Sequence, residues 1–375
     1  MLFKNAKIFT EDFRFVSGYF IVENGRFGKI SAGATDEDGI DLGGAYVIPG
    51  LIDVHNHGNS NADFSDGDYE GLCRMAAYLG KNGITSFAPA SMTLPYDVLA
   101  KAFDTAAKLH AEKPKGSSKL QGIQMEGPFF SEKKKGAQNG AYLRLPDFEA
   151  FKKLYDGCGG LVRIVDVAPE LEGAEEFVRQ ASELCTVSMA HTDSDYDHAK
   201  AAVDAGATHL THMYNGMPSI HHRKPGVIGA AAENPKVRAE LICDGIHVHP
   251  SAIRMAFAMF GAARMVLISD ALRCCGMPDG VYDLGGQATY LKGKTCTLAD
   301  GTLAGSVTNL FDCMRNVISY GIAPEAAIRA ASYNPACALG VDSEVGSIAP
   351  GKCADFIVCG EGFERKEVYI DGEKV

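Results

Sequence analysis

From Leu51 to Ser269 the chain repeats one unit, a short β-rich run followed by a helical stretch. The runs are Leu51–Val54, Thr85–Ala88, Leu120–Met125, Val162–Val167, Thr186–Ala190, His209–Thr211, Glu240–Cys243 and Met265–Ser269. Helical spacing marks the segments between them, among them Tyr69–Lys81, Val98–His110, Glu175–Leu184 and Tyr196–Ala205. Eight strands alternating with helices predict parallel pairing through right-handed crossovers, and a sheet closed into a (β/α)8 TIM-like barrel. An open doubly wound sheet is the alternative, but no GxGxxG opens an early helix. Helical stretches at Asn309–Ser319 and Pro324–Leu339 would complete the barrel.

The two ends read differently. Strand-like runs at Tyr19–Val22 and Ala45–Ile48, and at Phe356–Val358 and Val368–Ile370, are separated by Gly turns. Neither end makes a sheet of useful size alone. We expect residues 1–48 and 341–375 to form one small β-sandwich domain, with a catalytic barrel at 49–340 inserted between them.

The chain carries 47 acidic against 36 basic side chains, a net charge of −11. This argues against nucleic-acid binding, which depends on Lys and Arg neutralising phosphates. No apolar run approaches the length of a membrane span, and the N-terminal residues alternate like a strand rather than a signal peptide. The 11 cysteines are scattered, with no CxxC spacing, so we expect free thiols and a cytoplasmic location. The adjacent pair Cys274–Cys275 reads as incidental.

Active groups in such barrels sit at the C-terminal ends of the strands. Here those ends carry His55 and His57, Glu126, His191, His212, His247 and Asp270, so that six of the eight strands finish on a titratable side chain. Scattered surface histidines would not keep that phase. His55 and His57 are two apart on extended chain and point the same way. Neutral imidazole is a common ligand of divalent metals, and several N/O ligands with an open position make a catalytic site. Asp270 closes a buried apolar run, where a carboxylate is costly unless paired or near a metal. Beside a metal it would serve as a general base for a water. His198 and His209 read as structural, and His221, His222, His249, Tyr142 and Lys133–Lys135 as loop or helix-start residues.

The segment Val47–Gly58 resembles the first-strand signature of the amidohydrolase superfamily, and Gly346–Phe356 its closing β segment. Within it, Glu126-Gly127-Pro128-Phe129, His212-Met213-Tyr214-Asn215-Gly216-Met217, Asp244-Gly245-Ile246-His247-Val248 and Ser269-Asp270-Ala271 most resemble the N-acetylglucosamine-6-phosphate deacetylase family. Nearly the whole chain is covered. The resemblance implies deacetylation of the phosphorylated amino sugar to glucosamine 6-phosphate and acetate. It implies Glu126, His191 and His212 as ligands of a principal divalent metal, and His55 and His57 as ligands of a second or as helpers of the first. One or two ions per subunit follow, Zn foremost, with Fe, Mn or Co also suited to such ligands. It assigns acid/base catalysis to Asp270, and substrate contacts to Asn215, Gly216, Arg223, His247 and the loop Leu303-Ala304-Gly305. It also implies a homodimer in which phosphate contacts cross between subunits. Gln138 stands where the family usually has a His touching the substrate amide; an amide donates a hydrogen bond but carries no charge. Related reactions, on N-acetylgalactosamine 6-phosphate or another amide, are the alternative.

Overall fold

The computed structural model describes all 375 residues. The eight expected strands form the barrel wall: Leu51–Asn56, Ile84–Pro89, a third strand, Val162–Val167, Thr186–Met189, His209–Leu210, Arg238–Ile242 and Met265–Ile268. The third is interrupted at Gln121-Gly122. Its first part, Lys119–Leu120, pairs with strand two, and its second, Ile123–Met125, with strand four. Every pairing along the wall is parallel. Parallel bridges Asn56–Ala271 and Ala90–Gln124 join the remaining edges, so the sheet closes on itself.

Period two divides the wall residues. Leu51, Val165, Leu241 and Leu267 face outward into the main apolar core under the helices. Ile52, Val54, Ile164, Ile242, Val266 and Ile268 fill the lumen with Ala336 and Leu339 of the helix Tyr333–Leu339. Thr186, at the start of strand five, donates to the Ala338 carbonyl at 2.8 Å, which places this helix at the N-terminal mouth. The lumen is therefore apolar at that end, and its polar side chains collect toward the C-terminal end.

Helices form at Tyr69–Lys81 and Tyr196–Ala205 as expected, the first capped by Asp68 and the second by Asp195. The stretch Pro324–Leu339 is two helices that meet at Ser332. Three further helices, Phe148–Gly157, Gly226–Glu233 and Pro250–Phe260, complete the crossovers. Gly226–Glu233 lacks a polar face, which removes the periodicity a sequence reading needs. None of the helices is long and apolar enough to cross a membrane.

The chain ends build one eight-stranded sheet in which Phe356–Cys359 pairs with Tyr46–Pro49, which pairs with Leu2–Phe9, then Phe15–Glu23 and Arg26–Ala32. Phe20 and Phe356 lie three strands apart, about 14 Å in a flat sheet, yet their rings are 5.1 Å apart. The sandwich layers are thus two wings of one sheet folded over an aromatic core of Phe3, Phe20, Phe27, Phe356 and Tyr369. Gly50 carries this sheet straight into barrel strand one, where a Cβ would lie 2.1 Å from Thr85 Oγ1. Lys119 on strand three bonds Asp355 and Asp371 at 2.9 and 2.8 Å, tying the sheet to the barrel.

An additional antiparallel sheet, Gly280–Leu284, Gln287–Lys292, Thr295–Thr297 and Leu303–Gly305, follows strand eight. The sequence reading placed only a loop here; Leu303–Gly305 is instead an edge strand. The insert packs Leu284, Leu291 and Cys296 against Met92, Ala137 and Leu272 of the loops at the C-terminal face. All eleven cysteines are free, and the Sγ atoms of Cys274 and Cys296 lie 3.5 Å apart in this cluster.

Candidate active site

The C-terminal face gathers His55, His57, Glu126, His191, His212 and Asp270, all buried. His191, His212 and Asp270 adopt φ of 42°, 29° and 49°. That left-handed region is costly for residues other than Gly, Asn and Asp, and its use just past three strands turns each side chain toward the barrel axis.

Glu126 is the hub. Its Oε1 lies 3.1 Å from His191 Nε2 and 3.0 Å from His212 Nε2, which are themselves 3.1 Å apart. His55 Nε2 is 3.5 Å from the same oxygen, and His57 Nε2 is 3.2 Å from Oε2. Asp270 Oδ1 sits 3.3 Å from His57 Nε2 and 3.6 Å from His55 Nε2.

The far nitrogens set the tautomers. His57 Nδ1 and His191 Nδ1 meet the carbonyls of Ala90 and Lys134 at 3.1 and 2.8 Å. A carbonyl only accepts, so both rings carry the proton on Nδ1 and turn an Nε2 lone pair inward. His55 Nδ1 is likewise spent on Glu240 at 3.0 Å, and its buried Nε2 has no hydrogen-bond partner.

This donor set fits a divalent cation. Tetrahedral ligands at about 2.05 Å are separated by about 3.3 Å, close to the edges of the Glu126–His191–His212 triangle. His55, His57 and Glu126 form a second converging group that shares Glu126. The electrostatics agree. Burial disfavours a charged His55, but Glu126, Asp270 and Glu240 outweigh it and raise its pKa to about 10. Burial opposes ionisation of Glu126 and Asp270, yet the surrounding imidazoles hold both below their ordinary values. The site calls for positive charge.

Above the cluster opens a cavity of about 340 Å³. Asn215, Gly216, His247, Leu303, Ala304 and Gly305, which the resemblance assigns to the substrate, line it together with Tyr214 and Thr302, which the sequence reading did not single out. A Cβ on Gly216 would come 3.0 Å from His191 Nδ1, so the chain there approaches the ligand ring closely. His247 Nδ1 bonds Asp244 at 2.7 Å, leaving Nε2 for the cavity. Burial opposes its protonation, but Asp244 raises its pKa.

Arg223 does not reach the cavity of its own chain; it lies on an exposed loop, its Nη1 2.8 Å from His222 Nε2. Gln138 lines the cavity but is committed to Glu126. Its Oε1 accepts from the Thr93 backbone N–H at 2.7 Å, which fixes the amide orientation, and its Nε2 donates to Glu126 Oε2 at 2.7 Å. Sequence reasoning also passed over Glu240 and Asp166, fully buried carboxylates in the lumen beneath the cluster. The signal was present: Glu240 shares inward parity with Ile242, and Asp166 with Ile164.

A closed parallel barrel with histidines and carboxylates converging above strands one, three, five, six and eight defines a class of metal-dependent hydrolases, and the chain belongs to the amidohydrolase family, whose profile matches residues 46–375. Among its relatives is the N-acetylglucosamine-6-phosphate deacetylase of Bacillus subtilis, 36% identical, the match covering 96% of this chain and 92% of the relative. The N-acetylgalactosamine-6-phosphate deacetylase of Escherichia coli is 34% identical, with 87% of each chain covered. The fold is also that of a mutant N-acetyl-D-glucosamine-6-phosphate deacetylase from Mycobacterium smegmatis solved in complex with N-acetyl-D-glucosamine-6-phosphate. There the TM-score is 0.94 at 30% identity, over 100% of this chain and 98% of that one.

Proposed function

We propose that the protein hydrolyses the acetamide of N-acetylglucosamine 6-phosphate, releasing acetate and glucosamine 6-phosphate. The observation that carries this reading is the convergence of four imidazole Nε2 atoms on Glu126 beside Asp270, beneath a cavity, in a chain so similar to these deacetylases. Glu126, His191 and His212 would hold the principal cation, with His55 and His57 holding a second or sharing the first. Such an ion, Zn foremost, supplies Lewis acidity toward the acetyl oxygen and lowers the pKa of a nearby water.

Asp270 is the group placed to move protons. Its carboxylate takes one from the attacking water and returns it to the amine nitrogen as the C–N bond breaks. Gln138 holds Glu126 in place and keeps its second amide hydrogen for the cavity. His247, with Nδ1 bound to Asp244, offers Nε2 to the substrate, and the Asn215-Gly216 turn and Leu303–Gly305 strand close around the sugar.

No Lys or Arg lines the cavity within one chain. A phosphate dianion in an acidic protein needs a local cation, and we assign this to Arg223 of a second copy of the chain in a homodimer. The eleven free thiols suit a reducing cytoplasm.

The test is acetate release from N-acetylhexosamines, both C4 epimers, with and without 6-phosphate, by protein of measured metal content. Turnover of the phosphorylated gluco epimer is expected. Metal-replete protein that releases acetate from no phosphorylated hexosamine would refute the reading. The dimer assignment is tested by mixing Asp270→Asn and Arg223→Ala subunits: hybrid dimers, in which one site has both Asp270 and the partner's Arg223, should exceed the kcat/KM of either variant alone, and a mixture no more active than the mean of the two variants would refute the assignment.

A further inference from the structure

Glu240 lies on strand seven beneath the metal-binding cluster, fully buried and outside every step above. Three N–H donors converge on it. Oε2 accepts from His55 Nδ1 at 3.0 Å and from the His212 backbone N at 3.2 Å; Oε1 accepts from His209 Nε2 at 3.1 Å. One carboxylate thus touches a side-chain member of one converging group and the backbone of a member of the other.

We propose that Glu240 is the positioning residue that makes His55 a metal ligand. A carboxylate accepting from Nδ1 confines the proton to that nitrogen and aims the Nε2 lone pair at the cluster. Among the other candidate ligand rings, those of His57 and His191 are fixed by neutral carbonyls, and His212 Nδ1 has no partner. His55 alone is backed by a charged acceptor, so the basicity of its inward nitrogen depends on Glu240 most. His209 serves on the other side. It is fully buried, its Nε2–H fills Oε1, and its Nδ1 has no partner. It holds the carboxylate without drawing His55 away.

The inference rests on the metal-dependent reading of the site but not on the substrate. It is tested on the dialysed holoenzyme by the metal-to-chain ratio and by competition with a graded chelator, with Zn as the ion. Two variants separate charge from position. In Glu240→Gln the single amide oxygen can still accept from His55 and His212. Its NH₂ then faces His209, which accommodates it by moving its own proton to the partnerless Nδ1. Glu240→Leu removes every acceptor.

Outer-sphere partners of ligand histidines typically govern metal affinity by about 10–100-fold. Glu240→Leu should weaken the ion on His55 and His57 by that factor, Glu240→Gln by less, and both should keep the ion on Glu126, His191 and His212. Where the wild-type ratio is one, the same shift falls on that single ion if His55 helps to hold it, and a folded Glu240→Leu with an unchanged chelator midpoint then overturns the proposal. Where two ions bind, equal weakening of both overturns the proposal, because Glu240 then supports the barrel at large. A folded Glu240→Gln whose chelator midpoint equals wild type also overturns it, whatever its melting temperature. Wild-type protein that binds metal but deacetylates no phosphosugar would fail the functional reading while leaving this result to stand or fall separately.

Discussion

Replacing Asp270 by Asn removes one negative charge and one proton acceptor while leaving the frame of the site intact. The backbone at this position is anchored on both sides, with Asp270 N donating to the His55 carbonyl at 2.9 Å and Ser306 N donating to the Asp270 carbonyl at 2.8 Å. Its φ of 49° is one that asparagine tolerates, whereas alanine would add about 1–2 kcal/mol of backbone cost. The asparagine amide would still present an oxygen toward His57. The Glu126, His191 and His212 triangle, which Asp270 does not enter, should keep its ion. What is lost is proton transfer, worth about 10²–10⁴ in rate, or about 2.7–5.4 kcal/mol at 1.36 kcal/mol per decade. The assay is kcat for acetate release by protein of matched metal content, with circular dichroism to verify the fold. A fall in kcat with little change in KM is expected. Turnover within threefold of wild type at equal metal occupancy would refute Asp270 as the acid/base.

Arg223→Ala should lower kcat/KM for the phosphosugar by about 10–100-fold, the value of a hydrogen bond to a charged group. It should leave the poor rate with unphosphorylated N-acetylglucosamine unchanged and flatten the salt dependence; equal losses on both substrates would make Arg223 structural. Glu126→Gln, or loss of His191 or His212, should strip the principal ion, whereas His55→Ala or His57→Ala should reduce a second or weaker one. Full occupancy in Glu126→Gln, read by elemental analysis, would reverse that ranking. Lys119→Met leaves the buried Asp355 carboxylate without its partner and should destabilise the protein by about 3–5 kcal/mol in denaturant titrations. Burial already holds the Asp355 carboxyl above its ordinary value, and losing Lys119 raises it further. The deficit should therefore be greatest at neutral pH and shrink as pH falls through that raised value; a deficit that grows with acid would contradict the assignment.

The barrel was legible because parallel strands buried on both faces leave nearly continuous apolar runs, and Met265-Val266-Leu267-Ile268 reads that way at once. The cluster was legible for a related reason. A His, Glu or Asp that ends such a run has no cheap explanation, and six did so in phase. The insert after strand eight escaped because its strands are three to six residues long, though Gly285-Gly286 marked its first turn between paired Leu284 and Gln287. Glu240 escaped because it stands near the start of a run, where a charge normally meets solvent; only the two-residue parity with Ile242 turns it into the lumen.

Arg223 and Gln138 mark a different boundary. The resemblance led to both residues but could not say what each would touch. Gln138 was expected at the substrate and is held at Glu126 by the Thr93 backbone, a contact made between loops after strands two and three. A change from His to Gln at such a place need not weaken polarisation of the acetyl group if the amide's main partner is the metal-binding carboxylate itself. Arg223, expected at the phosphate with contacts crossing between subunits, lies outside the cavity of its own chain. The pattern of neighbours in sequence specifies the loop, but in the proposed dimer the cation's destination would depend on which surface of the second copy meets it. Within one chain the cavity is lined by Glu126, Asp270, His57, His191 and His212, and by His247, with no Lys or Arg on its wall. A dianion would be held weakly there; in the proposed dimer, where Arg223 of the second copy would supply the cation, the phosphate preference and the oligomeric state should be lost together when the subunit contact is broken.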